Sequence, residues 1–329
     1  MDSLASAVTV FLICSAIVVI AGVNLARYGD ELAEKTGWGK LWVGTILVAV
    51  STSLPELTFN ISAVWLEKSP GLALGNVFGA NMINVFVIAL VALVFGIRNL
   101  FGSQGRETDI LVKTGIALVA VAAVAGASGD FKLGPTSLGT LLIAALYIWG
   151  MRRVYQAGRT EMHLEDIPAP RGGARKAWIG FGLASLAVIV AARYLAASAH
   201  SIADLTGIGA SFIGVLLVSI VTTLPEGSVS VAAAFRRSYG IAMGNVYGSC
   251  AFNVFIFSIA DFFQPDVPLL RAMEGAHYAA AAAALILMSM GYFILGSCKT
   301  KRMALGRVLT PAIPVLYVGA LYVVFQLAR

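Results

Sequence analysis

The chain has 329 residues, of which 59% are hydrophobic and 12% are charged, and its formal net charge is +6. A soluble domain carries about 25% charged residues, so this composition excludes an ordinary soluble protein and indicates a polytopic membrane protein whose main partner is the lipid bilayer. The positive charge therefore bears on membrane topology and gives no reason to expect a nucleic acid partner. The three cysteines, an odd number in or beside apolar segments, do not suggest a disulfide framework.

Ten apolar runs come close to the length of a membrane span, which needs about 20 mainly apolar residues. Helices are expected, since open sheets and lipid-exposed loops cannot cross hydrocarbon. The runs are 4–26, 41–66, 71–96, 110–127, 135–151, 177–198, 210–235, 240–263, 273–295 and 307–327. A polar linker at 152–176 separates the fifth run from the sixth. The predicted fold class is an all-α membrane protein with a first five-helix repeat at 1–151 and a second at 177–329.

The basic residues predict how these helices are oriented. With the N-terminus placed outside, most of the 23 Lys and Arg residues fall in the inner loops. Cytoplasmic loops of membrane proteins are enriched in Lys and Arg. We therefore expect an inner-membrane protein with both termini outside and the 152–176 linker in the cytoplasm.

Two stretches of the first half return in the second half. The sequence T-S-L-P-E at 52–56 returns as T-T-L-P-E at 222–226. Similarly, G-L-A-L-G-N-V-F-G-A-N-M-I-N-V-F at 71–86 returns as G-I-A-M-G-N-V-Y-G-S-C-A-F-N-V-F at 240–255. Five helices per half give the halves opposite orientations. Inverted repeats with interrupted helices in matching places are typical of secondary transporters whose site lies near the membrane midplane.

The repeated prolines predict interruptions in helices 2 and 7. Pro55 and Pro225 lack a backbone N–H, and each ring collides with the carbonyl four residues earlier, which frees the carbonyls of Ser51 and Val221. In lipid such oxygens need a partner, and a bound cation is one. A proline kink satisfied by Ser or Thr side chains is the structural alternative.

Glu56 and Glu226 follow the two prolines inside apolar runs. A lone charge at the bilayer centre costs roughly 2.5–3.5 kcal/mol on insertion scales, so both carboxylates are expected to face the interior and to share a cation. Hard oxygens in irregular geometry favour Ca²⁺, as transported cargo and not as a cofactor. The neighbouring donors are the hydroxyls of Thr52, Ser53, Thr222 and Thr223 and the amides of Asn84 and Asn253. No obligate protein partner is evident.

These paired motifs resemble those of the calcium:cation antiporters, which include the sodium/calcium exchangers. The resemblance covers both halves of the chain. It implies ten helices, alternating access around four cation positions, and exchange of Ca²⁺ for Na⁺ with three Na⁺ per Ca²⁺. It also implies a transporter and not an enzyme.

The resemblance further implies a role for each motif position. Glu56 and Glu226 match the ligands that Ca²⁺ and Na⁺ share. The other implied ligands are backbone carbonyls of Thr52 and Thr222, carbonyls of Ala49 and Ser219 at flanking Na⁺ positions, hydroxyls of Ser53, Thr223 and Ser249, and the central amides of Asn84 and Asn253.

Two departures from the family pattern bear on the driving ion. Ala80 stands where the family usually has a serine Na⁺ ligand, and Asn253 stands where several members carry aspartate. A divalent cation antiporter driven by H⁺ or K⁺ therefore remains the alternative, followed by a passive cation channel. An intramembrane hydrolase is disfavoured because the spans hold no H-E-x-x-H motif and no plausible Ser–His or Ser–Lys pairing.

Overall fold

In a computed structural model, the described residues are 3–36, 52–161, 174–264, 266–300 and 303–329. They form helices joined by short turns, with one small two-stranded sheet. The helices are α1 (Leu4–Thr36), α2 (Leu54–Trp65), α3 (Pro70–Phe95), α4 (Ile97–Gly102), α5 (Arg106–Ala127), α6 (Leu138–Glu161), α7 (Arg175–Thr206), α8 (Ala210–Ile213), α9 (Ser219–Phe235), α10 (Tyr239–Ala260), α11 (Gly275–Lys299) and α12 (Met303–Leu327). The strands are β1 (Lys132–Leu133) and β2 (Thr136–Ser137), and 3₁₀ turns cover Asp261–Phe263 and Leu269–Ala272.

Eight helical runs among the described residues are long and apolar enough to cross a membrane. They are Leu4–Gly29, Pro70–Phe95, Arg106–Ala127, Arg175–Thr206, Ala210–Phe235, Tyr239–Phe263, Gly275–Lys299 and Ala304–Leu327. The prediction of a helical membrane protein is confirmed, whereas the count of ten spans stays a prediction. Of the other two predicted spans, 41–66 lies partly outside the described residues and 135–151 corresponds to α6.

The predicted linker is partly helical. Helix α6 continues to Glu161 and α7 begins at Arg175, so both ends of the 152–176 segment belong to helices. Residues 162–173 lie outside the described part of the chain.

Helices α3 and α10, the two copies of the glycine- and asparagine-containing repeat, form the centre of the bundle. In each of the two spans that contain them, 72% of the most apolar 18-residue stretch is buried inside the protein. The corresponding share is 28% in α1 and 22% in α12. A helix that is apolar on all sides is expected to be surrounded by protein. Helix α1 packs along α7 at the periphery, α11 along α12, and α5 along α6.

The backbone of α3 lies in close contact with the segment that precedes α9. Between α8 and α9 the chain forms a π-helical turn, Gly214–Val218. A Cβ on Gly79 would lie 2.7 Å from Val215 Cα and 2.8 Å from Ser219 Oγ. Glycine is therefore required at this crossing, where small residues let two helix backbones approach.

The two prolines occupy different positions in their helices. Pro55 lies in the first turn of α2, and the residues before Thr52 are not described. Pro225 lies inside α9, which continues through it as a helix. A break at Pro225 is therefore not confirmed, and the irregular backbone of this span lies earlier, in the π-helical turn.

Candidate cation site

Helices α2 and α9 bring the repeated motifs together in the interior. Gly22 of α1 lies over both prolines, and a Cβ there would be 2.6 Å from Pro225 Cγ and 3.8 Å from Pro55 Cγ. Glu56 and Glu226, one residue beyond the prolines, are both 0% exposed. Both acidic side chains are therefore buried where the two repeated motifs come together, whereas their joint binding of a cation stays a prediction.

Glu226 is held by two side chains from the other half of the chain. Ser53 Oγ donates a hydrogen bond of 2.7 Å to Glu226 Oε1, and Asn84 Nδ2 donates one of 3.1 Å to Oε2. Ser249 of α10 lies beside the same carboxylate. Hydrogen bonds to an ionised acceptor are the stronger kind, so these contacts fix the orientation of Glu226.

Several buried oxygens of the site have no hydrogen-bond partner within the described residues. They are both carboxylate oxygens of Glu56, the Oδ1 atoms of Asn84 and Asn253, Thr223 Oγ1 and Ser249 Oγ. Buried polar atoms are normally paired, and each exception calls for an explanation. A set of carboxylate, amide and hydroxyl oxygens is the ligand set that Ca²⁺ prefers, and Na⁺ is another hard cation.

Those of the remaining predicted ligands that the structure describes are buried but differ in their contacts. Thr222 lies near Glu56 and donates a hydrogen bond of 3.1 Å to Asn76 Oδ1. The Ser219 hydroxyl donates to the Val215 carbonyl of the π-helical turn. Thr52 is 0% exposed. Ala49 and the carbonyl of Ser51 fall outside the described residues, as does much of the second predicted span.

Sequence reasoning missed Asn81 altogether. Asn253 Nδ2 donates a hydrogen bond of 3.3 Å to Asn81 Oδ1, which ties the two central helices together. The available signal was the density of asparagine in α3, an otherwise apolar helix that carries Asn76, Asn81 and Asn84, all fully buried. Buried amides in lipid need partners, so each of the three was a candidate for a contact between helices.

Two further asparagines bind backbone and not the carboxylates. Asn60 Nδ2 donates a hydrogen bond of 2.7 Å to the Glu56 carbonyl. Asn245 Nδ2 donates one of 2.9 Å to the Glu226 carbonyl and one of 2.8 Å to Ser230 Oγ. These amides therefore stabilise the backbone next to each acidic residue.

The site is poor in charge apart from its two acids. No group of three or more His, Cys, Asp or Glu side chains comes together in the described segments. The Glu226 carboxylate receives hydrogen bonds from one neutral hydroxyl and one neutral amide group. The arrangement can neutralise a cation with two carboxylates and complete its shell with uncharged oxygens.

Several known proteins resemble this chain over most of its length. MaX1, a sodium/calcium exchanger of Methanosarcina acetivorans, is 26% identical over 280 residues, which cover 73% of this chain and 78% of MaX1. The Ca²⁺/H⁺ antiporter ChaA of Bacillus subtilis is 24% identical over 332 residues, which cover 88% of this chain and 93% of ChaA. A solved structure of the sodium-calcium exchanger NCX_Mj has the same fold, with a TM-score of 0.63 at 23% identity over 97% of this chain and 99% of that one.

A family model completes the comparison. The model described as sodium/calcium exchanger protein matches residues 6–151 and 176–327. This match leaves out only the chain ends and the segment between the two halves, and it confirms the resemblance that the paired motifs indicate. The chain belongs to the sodium/calcium exchanger family of membrane proteins.

Proposed function

We propose that this protein is a secondary antiporter that exports Ca²⁺ across the inner membrane in exchange for Na⁺. The observation that carries the proposal is the set of unpartnered buried oxygens around Glu56 and Glu226. Both carboxylates would bind the cation, which removes the cost of keeping two acids in a dry interior. A protein of this class catalyses no covalent reaction, so it is not an enzyme.

The proposed architecture has ten helices in two inverted repeats, 1–151 and 177–329, with helices 2 and 7 interrupted near the site. The family model matches both repeats and stops between 151 and 176, which supports a division there. The excess of basic residues in alternate loops supports a cytoplasmic linker and outer termini.

The proposed ligands extend outward from the two glutamates. Asn84, Asn253 and Ser249 supply neutral oxygens from α3 and α10, as their unpartnered atoms suggest. The other members of the proposed set are Ser53 and Thr223 through hydroxyls, and Thr52, Thr222, Ala49 and Ser219 through backbone carbonyls.

Access would alternate by movement of the peripheral pair of helices, α1 and α7. They pack along one another, and α1 covers both prolines through Gly22. Sliding of this pair past the central helices would open the site to one side and close it to the other. Since one site would bind either ion, the Ca²⁺ and Na⁺ steps must occur in turn.

An H⁺-driven antiporter of the same fold is the second candidate. Ala80, where a hydroxyl ligand for Na⁺ is usual in the family, is fully buried in α3 and offers no side-chain oxygen. The relative ChaA is named a Ca²⁺/H⁺ antiporter and is matched over most of its length.

The test is uptake of ⁴⁵Ca²⁺ into proteoliposomes under imposed Na⁺, K⁺ or H⁺ gradients. Uptake driven by the Na⁺ gradient alone supports the leading proposal, and uptake driven by the H⁺ gradient supports the second. Glu56→Gln and Glu226→Gln are expected to abolish it, whereas Glu67→Gln, in the partly exposed turn after α2, should not. Persistent uptake in either site variant would contradict the ligand roles, and flux without any coupling gradient would indicate a channel.

A further inference from the structure

One amide in each repeat occupies the same place in the motif but makes different contacts. Asn76 of α3 and Asn245 of α10 match in the glycine- and asparagine-containing repeat. Asn245 Nδ2 donates hydrogen bonds within its own half, to the Glu226 carbonyl at 2.9 Å and to Ser230 Oγ at 2.8 Å. Asn76 instead accepts a hydrogen bond of 3.1 Å from Thr222 Oγ1, which belongs to the other half. The two copies of one motif therefore hold two different hydrogen-bonding arrangements.

The first half contains the atoms for the arrangement that the second half makes. Asn60 lies one turn beyond Glu56, as Ser230 lies one turn beyond Glu226. Asn60 Oδ1 and Asn76 Nδ2 are both buried and have no hydrogen-bond partner within the described part of the chain. One is an acceptor and the other a donor, and the helices that carry them, α2 and α3, pack against each other. A donor and an acceptor are thus left unused where the second half forms a hydrogen bond.

The unused pair and the formed pair act on the described state in opposite ways. Buried amide groups are normally paired, and a group left unpaired raises the free energy of the state that contains it. The unused pair in the first half therefore disfavours this state, whereas the formed pair in the second half favours it. A state in which Asn76 donates to Asn60 and Asn245 releases its own half would reverse both contributions. Because amides are neutral, this exchange does not depend on whether the glutamates are ionised.

We propose that Asn76 and Asn245 are positioning residues that exchange these arrangements when the site turns from one side of the membrane to the other. This inference rests on the proposed function, in which the two repeats have opposite orientations, so that exchanging their conformations opens the site to the opposite side. In the described state Asn76 joins α3 to α9 through Thr222, and Asn245 stays within its own half. In the opposite state Asn76 donates to Asn60. Asn245 then makes the contact across the halves, with Thr52, the counterpart of Thr222.

These amides act on the cation through the residues beside it. Asn76 fixes the side chain of Thr222, a proposed ligand through its backbone carbonyl. Asn245 donates to the backbone carbonyl of Glu226, whose carboxylate is a proposed ligand. Each amide therefore contacts a residue of the proposed site, although neither belongs to the proposed set of ligands.

The crossing between α3 and α8 can report which state is populated. Ser211 is 4% exposed there, and its carbonyl lies against Gly75 of α3. A Cβ on Gly75 would lie 3.2 Å from Gly214 Cα, so the two backbones touch and shield position 211. Asn76 is the next residue after Gly75, so its release from Thr222 should loosen this crossing.

The test measures the labelling rate of a Ser211→Cys protein by a polar maleimide in lipid nanodiscs, where both faces are open to the reagent. The native cysteines are first replaced by alanine; they are Cys14, Cys250 and Cys298. The labelling rate of a shielded thiol follows the fraction of molecules in which the crossing is open. It therefore measures the equilibrium between the two states.

Substitutions at the two acceptors should change this rate in opposite directions. Ser230→Ala removes an acceptor that the described state uses and should raise the rate about fivefold, the equivalent of one hydrogen bond of ~1 kcal/mol. Asn60→Leu removes the acceptor that only the opposite state uses and should lower the rate about fivefold. The double variant should label within about twofold of the parent protein, because the two effects cancel.

Two further variants separate positioning from packing. Asn60→Ser loses the hydrogen bond to the Glu56 carbonyl, as Asn60→Leu does, but keeps an oxygen where the second half has Ser230. It should therefore label like the parent protein. Ser228→Ala removes an exposed hydroxyl on α9 and should also leave the rate unchanged. If Asn60→Leu does not fold, Ser230→Ala compared with Ser228→Ala still decides.

The outcomes separate this inference from the proposed function. Rates that change in the same direction in both single variants, or that do not cancel in the double variant, would overturn the exchange of the amides. So would equal rates in Asn60→Leu and Asn60→Ser, or no response to Ser230→Ala. Labelling needs no ion gradient. Absence of Na⁺-driven Ca²⁺ uptake would therefore refute the proposed function, while the labelling rates would still decide whether the amides exchange.

Discussion

Two lysine–aspartate ion pairs in this protein allow the effect of burial on pair strength to be distinguished from the effect of the distance between the charged atoms. Lys132 Nζ lies 3.1 Å from Asp261 Oδ1, and their side chains are 17% and 0% exposed. Lys113 Nζ lies 2.8 Å from Asp109 Oδ2, one turn away on α5, with side chains 55% and 25% exposed. The shorter pair is the more exposed one. If solvent screening decides the energy, replacing the lysine of the longer pair will cause the larger loss of stability.

The expected magnitudes follow from the surroundings of Asp261. Removing one partner of a buried ion pair typically costs about 3–5 kcal/mol, because the other charge is left uncompensated. Here Thr140 Oγ1 at 2.9 Å and the backbone N–H of Leu269 at 2.8 Å still donate to Asp261, and Lys132 is partly exposed. We therefore expect Lys132→Met to lower the free energy of unfolding by about 2–3 kcal/mol. Lys113→Met should cost about 0.5 kcal/mol or less, as for other exposed helix pairs.

The assay is equilibrium unfolding in mixed detergent micelles, followed by tryptophan fluorescence, with both variants measured beside the wild type. The double variant Lys132→Met with Asp261→Asn should recover part of the loss, since it leaves no unpaired charge. Equal losses for the two lysine variants, or a larger loss for Lys113→Met, would refute the reasoning. Such a result would mean that distance and not burial sets the strength of these pairs.

Three further substitutions test the packing and the site. Gly79→Ala should lower the free energy of unfolding by about 1–3 kcal/mol, because a Cβ there overlaps helix backbone, whereas Gly182→Ala on the exposed face of α7 should not destabilise. Ser53→Ala should raise the Ca²⁺ concentration for half-maximal uptake about tenfold, a loss of about 1.4 kcal/mol, because it removes a proposed hydroxyl ligand of the cation; Ser228→Ala, which removes an exposed hydroxyl on α9, is the control. Asn81→Leu should weaken Ca²⁺ uptake without loss of folded protein, as judged by size-exclusion chromatography, and unchanged uptake would contradict its role in orienting Asn253.

The sequence predicted the part of the site that follows from the cost of charge in lipid. Two carboxylates in matching apolar segments had to face inward, and the structure buries both of them completely. Ser53 and Asn84 were predicted ligands because the repeat places them near the acids in both halves. Both side chains do reach Glu226.

The sequence could not predict which side chains meet across the two halves. Asn76, Asn81 and Asn84 lie on one helix, and periodicity cannot show that one meets Thr222, another Asn253 and the third a carboxylate. Such pairing depends on the crossing of α3 with its neighbours, which tertiary packing sets. The same limit applies to α9, because local rules expect an interruption at a proline, whereas this helix continues through Pro225.

The hydrogen bonds at Glu226 would connect the proposed cation binding to the contact between the two halves. Ser53 and Asn84 from the first half donate to the two oxygens of this carboxylate, which are the atoms a cation would bind. Under the proposed function, a cation at Glu226 would compete with these contacts, which join the start of α2 and the middle of α3 to α9. Its arrival would exchange hydrogen bonds between the halves for metal ligation, so the loaded and empty forms would differ in how strongly the halves are joined. A ligand shifts a conformational equilibrium only by its differential interaction with the two states, and this exchange at Glu226 supplies such a difference.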